Sequence, residues 1–115
     1  MAQSQTLVQQ INDGIGSLGP DFGDHLWLTF YLSGQEESLA ILASQLAEAG
    51  WVNVDGSDSG FIYPKKHVRK IASEAVQVAL TVDDLCRLHR VEILNVDADT
   101  SADVQASKFV MLFRA

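Results

Sequence analysis

Residues 25–32, His-Leu-Trp-Leu-Thr-Phe-Tyr-Leu, constrain the fold more than any other stretch of the chain. Aromatic and β-branched side chains at this density favour a β-strand. Strand alternation sends Leu26, Leu28, Phe30 and Leu32 to one face and Trp27, Thr29 and Tyr31 to the other. The first face is wholly apolar and belongs to the core. The second carries two amphipathic rings. A strand apolar on both faces lies centrally in its sheet, so the rest of the chain must supply neighbours on both sides.

Those neighbours can be looked for in order. "SGQEESLAILASQLAEAG" predicts a helix. Ser33 and Glu36 have capping-box spacing, Glu36 and Glu37 suit the positive end of the helix dipole, and Leu39, Leu42, Ala43 and Leu46 form a buried stripe. Gly50 can take the left-handed cap. "WVNVDGSDSGFIYP" reads as a hairpin, with Trp51, Val52 and Val54 in one strand and Phe61, Ile62 and Tyr63 in the other. The segment 65–80 stays open. Val68, Ile71, Ala72, Ala75 and Ala79 trace a helical stripe, whereas Val76, Val78 and Leu80 alternate as in a strand confined to the second half. "TVDDLCRLHR" offers a second capping box, Thr81 with Asp84, and places Val82, Leu85, Cys86 and His89 on one helical face. "VEILNV" and "KFVMLFR" read as strands joined by the polar "DADTSADVQAS".

At the N-terminus, Leu7, Val8 and Ile11 fall at helical spacing, with Gly14, Gly16, Gly19 and Pro20 closing the segment. The expected architecture is α+β: a ferredoxin-like β-α-β-β-α-β sandwich with an antiparallel sheet. Its helices cover one sheet face and leave the other open. Residues 1–24 form an extra N-terminal helix or arm, and residues 25–115 a single α+β domain.

Charge narrows the partners. Fifteen Asp and Glu against eight Lys and Arg give a net charge of −7. That balance repels nucleic acid and anionic membrane at long range. A single cysteine, Cys86, forbids an internal disulfide and fits a reducing cytoplasm, so a cytoplasmic location is expected. The N-terminus has neither the positive charge nor the apolar run of a signal peptide, and no stretch approaches the roughly 20 apolar residues of a membrane span.

Catalytic and cofactor signatures are weak. Cys86 and His89 lie one helical turn apart, but on an apolar stripe, where a cysteine packs as a small hydrophobe. His25, His67 and His89 are scattered. Asp97, Asp99, Ser101 and Asp103 begin like a calcium loop. Ala102 then stands where the turn glycine belongs and Lys108 where the bidentate Glu belongs, which leaves a solvated acidic hairpin loop. "GIGSLG" has the glycine spacing of a dinucleotide fingerprint but follows a helix and precedes Pro20. No catalytic residue, metal or cofactor is expected.

Two surfaces remain. Trp27 and Tyr31 sit on the open sheet face, to be covered by the N-terminal arm or used as a subunit or partner interface. Lys65, Lys66, Arg69 and Lys70 hold half of all the Lys and Arg within six positions, after 64 residues with none. On a helix, Lys66, Arg69 and Lys70 would share one face. That face is either simply solvated or an anchor for an acidic partner, including a second copy.

The run "LTFYLSGQEESLAILASQLAEAGWVNV", together with "VQVALTVDDLCRL", resembles the regulator of ribonuclease activity B family in plan, over residues 25–90. The resemblance implies a ferredoxin-like protein that binds and restrains a ribonuclease without catalysis of its own. The expected function is thus a small non-catalytic protein-binding or regulatory module, with a protein partner or a homodimer and without nucleic acid or membrane. The alternative is a small enzyme or ligand-binding domain with a pocket between sheet and helices or across a homodimer.

Overall fold

The computed structural model describes residues 2–103 and 108–115, with side chains from residue 5 onward. Helix α1 (Ala2–Gly16) leads through a short 3-10 turn into strand β1 (His25–Ser33) and helix α2 (Glu36–Glu48). Strands β2 (Phe61–Ile62) and β3 (Lys65–Arg69), helix α3 (Ala72–His89) and strands β4 (Glu92–Asp99) and β5 (Phe109–Arg114) follow. The protein is α+β, with a five-stranded antiparallel sheet.

Strand β1 is central, as its two apolar faces demand. On one side it pairs with β4, and β4 with β5. On the other it pairs with β2 through Leu32 and Ile62, and with β3 from His25–Arg69 to Thr29–Lys65. Strands β2 and β3 are one strand interrupted at Tyr63 and Pro64. Pro64 lacks an N–H, yet its carbonyl still accepts from the Phe30 N–H (3.0 Å).

Helices α1, α2 and α3 line the side to which Leu26, Leu28, Phe30 and Leu32 point, each no more than 1% exposed. Leu39, Leu42 and Leu46 come from α2, Ala75, Ala79, Val82 and Cys86 from α3, and Leu7, Ile11 and Ile15 from α1, all in one cluster. Helix α1 runs one turn further than glycine content suggests. Gly14 lies within it because β5 approaches so closely that a Cβ there would stand 2.6 Å from Leu112 Cδ2.

Several expectations are corrected. Ser33 belongs to β1, so α2 starts at Glu36 with Gln35 before it and no side-chain cap. The hairpin across residues 51–63 does not form. Trp51 packs into the core against Phe30, Val52 makes a single bridge to Lys65, and Phe61 and Ile62 pair with β1 instead. A central strand with a free edge outcompetes a short, polar-tipped hairpin. Segment 65–80, open between a helical stripe and a strand in its second half, is strand first and helix second: β3 ends at Arg69, and Ala72, Ala75 and Ala79 of the helical stripe lie in α3. Residues 72–89 are one helix, and Thr81 is inside it with its hydroxyl bonded to the Gln77 carbonyl (3.0 Å) rather than capping.

Candidate functional site

The sheet face opposite the helices is built by strand alternation. Trp27, Thr29 and Tyr31 of β1 stand between His67 and Lys65 of β3 on one side and Asp99, Asp97 and Asn95 of β4 on the other. Strand β5 adds Phe109 beside Asp99 and Met111 beside Asp97. The middle of this face is polar and buried: Thr29, Lys65, Asp97 and Asp99 are each at most 5% exposed.

Lys65 makes the floor of the site. Its Nζ donates to Asp99 Oδ2 (2.8 Å) and to Thr29 Oγ1 (2.7 Å), and the Thr29 hydroxyl donates in turn to Asp99 Oδ2. The pair and the hydroxyl satisfy one another, which buried charge requires. Asp97 has no such cation in contact. Burial pushes its carboxyl above the usual range, the nearby Asp99 charge adds to this, and hydrogen bonds from Tyr31 and Asn95 (3.2 Å) oppose it. The Tyr31 phenol is raised in its turn, first by burial and then by its bond to Asp97.

Rings bound this floor at both ends. Trp27 packs on His67 (centroids 4.9 Å apart), and His67 stacks on His25 (5.1 Å). Tyr31 meets Tyr63 edge to face at 5.2 Å. Asn53 takes a left-handed backbone conformation (φ 57°), and its amide donates to the Tyr63 carbonyl (2.9 Å). The result is an open depression of about 310 Å³ lined by Thr29, Tyr31, Asn53, Tyr63 and Lys65. Helix α1 does not supply a cover, because it packs on α3 and β5. Trp27 and Tyr31 are half-buried by their own sheet neighbours.

The basic island dissolves. On a helix it would form one face, but residues 65–69 are strand, and alternation separates them. Lys65 goes to the open face. Lys66 turns to the helix side and donates to the Ala49 carbonyl at the end of α2 (2.9 Å), a favourable place for a cation. Arg69 pairs with Glu74 of α3 (2.9 Å). The Arg69 backbone N–H and guanidinium hold the Glu74 carboxyl below its ordinary value. Lys70 is half-buried in the following bend, its N–H on the Asp24 carbonyl (2.7 Å).

Asp97 and Asp99 are a second correction. They are strand residues rather than parts of a solvated loop. The signal that finds them is Asp-Ala-Asp: alternation puts Ala98 in the apolar core and both carboxylates on the opposite face, where Lys65 arrives from β3. Asp103 is exposed, and residues 104–107 of the polar joining stretch lie outside the described residues.

Cys86 is 2% exposed, and burial with the Asp83 charge pushes its thiol up to about 12. That is the opposite of an activated nucleophile. His89 bonds Gln45 Oε1 (2.9 Å). Among the described residues no group of three or more His, Cys, Asp or Glu is placed to hold a metal ion, and no helix is long and apolar enough to cross a membrane. Compared with known proteins, the chain matches no family model, no curated protein and no solved structure.

Proposed function

We propose that the protein is a small non-catalytic binding module whose docking surface is the open sheet face. The observation that carries this is the pairing of Trp27 with His67 and of Tyr31 with Tyr63 around a floor already neutralised by Lys65 and Asp99. The rings offer amphipathic contact area, which interfaces favour. Lys65, Asp99 and the Thr29 hydroxyl satisfy one another, so covering these three with a partner strands none of them. The strand order β4-β1-β3, with Val52 bridged to Lys65 beyond β3 and β5 added outside β4, supports reading the frame as ferredoxin-like.

Asp97 and Asp99 on this face, with the net charge of −7, disfavour a phosphate backbone as ligand. A protein partner suits the surface, a ribonuclease being the one that the resemblance over residues 25–90 implies. The test is affinity capture from the native extract with the intact protein and with Trp27→Ala and Tyr31→Ala. Loss of one shared protein from both variants, each still folded by circular dichroism, supports the reading. Identical captures from all three sink it.

A second reading has its own observation. The depression over Thr29, Tyr31, Asn53, Tyr63 and Lys65 gathers hydroxyl, amide and ammonium groups in about 310 Å³, which suits a small polar ligand. A thermal-shift screen of small polar metabolites decides it. Stabilisation abolished by Asn53→Ala and Tyr63→Phe together favours the ligand over the partner.

A further inference from the structure

The sheet ends differently at its two sides. Beyond β3, Val52 bridges Lys65, and the strand carries Lys66 and Arg69. Bridging and charge are the devices by which sheets blunt an edge. Beyond β5, among the described residues, no strand pairs. Helix α1 shelters only the far end of β5, where Gly14 meets Leu112 and Gln10 Oε1 accepts from the Arg114 N–H (3.4 Å).

Among the described residues, nothing pairs with the near end. Phe109, Val110 and Met111 are 66%, 44% and 51% exposed, and no other exposed large hydrophobic residues among those described are consecutive. Three exposed apolar residues in a row on an unprotected edge form a template for another strand.

Backbone parity says how that strand must sit. The Lys108 carbonyl faces β4, accepting from the Thr100 N–H (3.0 Å). Residues alternate, so Val110 also turns its N–H and C=O toward β4, opposite Ala98, while Phe109 and Met111 turn theirs outward. We propose that β5 pairs antiparallel with β5 of a second copy, about a two-fold axis at Val110. Phe109 then stands opposite Met111 of the other copy, twice, and these are the residues with outward backbone groups. Each such pair exchanges two hydrogen bonds.

Val110 faces Val110 in the non-hydrogen-bonded position that its inward groups require. A thioether stands beside a phenyl ring on the open face, a favourable contact. An axis at Met111 would set Lys108 toward Arg114 of the other copy, a like-charge approach that the axis at Val110 avoids. Because α1 occupies the edge from Leu112 on, the free segment is short and matched to this isologous pairing. Such a dimer would carry the open face of each copy on one continuous sheet.

Cross-linking reads the register. Val110→Cys puts two thiols in a non-hydrogen-bonded pair about 4.5 Å apart between Cα atoms, within disulfide reach. Mild oxidation should give a covalent dimer on non-reducing gels, and buried Cys86 does not compete. Phe109→Cys displaces the thiols by two residues along the strands, beyond the ~7 Å limit, and should stay monomeric. Sedimentation over a concentration series should show a dimer for the intact protein and a monomer for Met111→Lys. Exposed Leu88→Lys on α3 should change nothing. A Val110→Cys protein that fails to cross-link, equal cross-linking of Phe109→Cys, a monomeric intact protein, or a dimer that survives Met111→Lys would each overturn the proposal.

Discussion

The two faces of β1 are both sheltered, by opposite chemistry. Leu26, Leu28, Phe30 and Leu32 are closed off by three helices. Trp27, Thr29 and Tyr31 have no element above them among the described residues, yet Thr29 is 2% exposed because Lys65, Asp99 and the flanking rings close over it. On the first face, burial is driven by the removal of apolar area from water. On the second, buried charge is tolerated only because every donor finds an acceptor. The first face is therefore expected to fail in proportion to lost volume. The second should fail when one partner is removed and recover when both are.

Phe30→Ala should show the largest effect, a loss of roughly 3–5 kcal/mol for a fully buried ring that also packs on Trp51. Urea unfolding measures it. A cost below that of a single methyl group would mean that the helix layer is loose.

Lys65→Met should come next, at about 3 kcal/mol, since it leaves Asp99 buried without its cation. The double variant Lys65→Met with Asp99→Leu should return most of that stability, because an apolar pair of similar volume replaces an ion pair at little net cost. If the double variant is as unstable as the sum of the singles, the two faces do not differ in the way described.

Tyr31→Phe should cost about 1 kcal/mol, the usual net worth of one hydrogen bond, and should leave capture of a partner less affected than Tyr31→Ala. The smallest effect concerns pH. Burial raises the Asp97 carboxyl in the folded state, so the fold holds that proton more tightly than the unfolded chain. Its contribution is therefore fully present below the ordinary carboxylate pKa and is lost as pH rises through the folded value. Asp97→Asn should raise the thermal midpoint at pH 7 and leave it nearly unchanged at pH 3. A gain that is the same at both pH values would place the cause elsewhere.

Much of the frame was legible. The alternation in residues 25–32 put β1 at the centre and assigned each residue to its face, and the Leu39, Leu42, Leu46 stripe located α2. Those signals are local and strong, and the tertiary fold agrees with them. The floor of the site was not legible. Lys65 reads as one of four clustered cations until β3 is known to be a strand. Asp97 and Asp99 read as loop until β4 is known to extend through them. Each needs the other, across 34 positions of sequence for the Lys65–Asp99 pair, to be stable where it is.

What the chain determined by itself is periodicity: which residues alternate, which repeat at helical spacing, and that β1 must be central. Periodicity reports local backbone geometry, which a dozen neighbouring residues suffice to specify. Only the tertiary structure decided pairing. It undid an expected hairpin, laying Phe61 and Ile62 on β1 and leaving Val52 a single bridge to Lys65, sent Lys65 and Lys66 to opposite sides of one sheet, and, among the described residues, left β5 with a bare end. Pairing depends on which distant edge is free and which charge is near enough to satisfy another. No local window of sequence contains that.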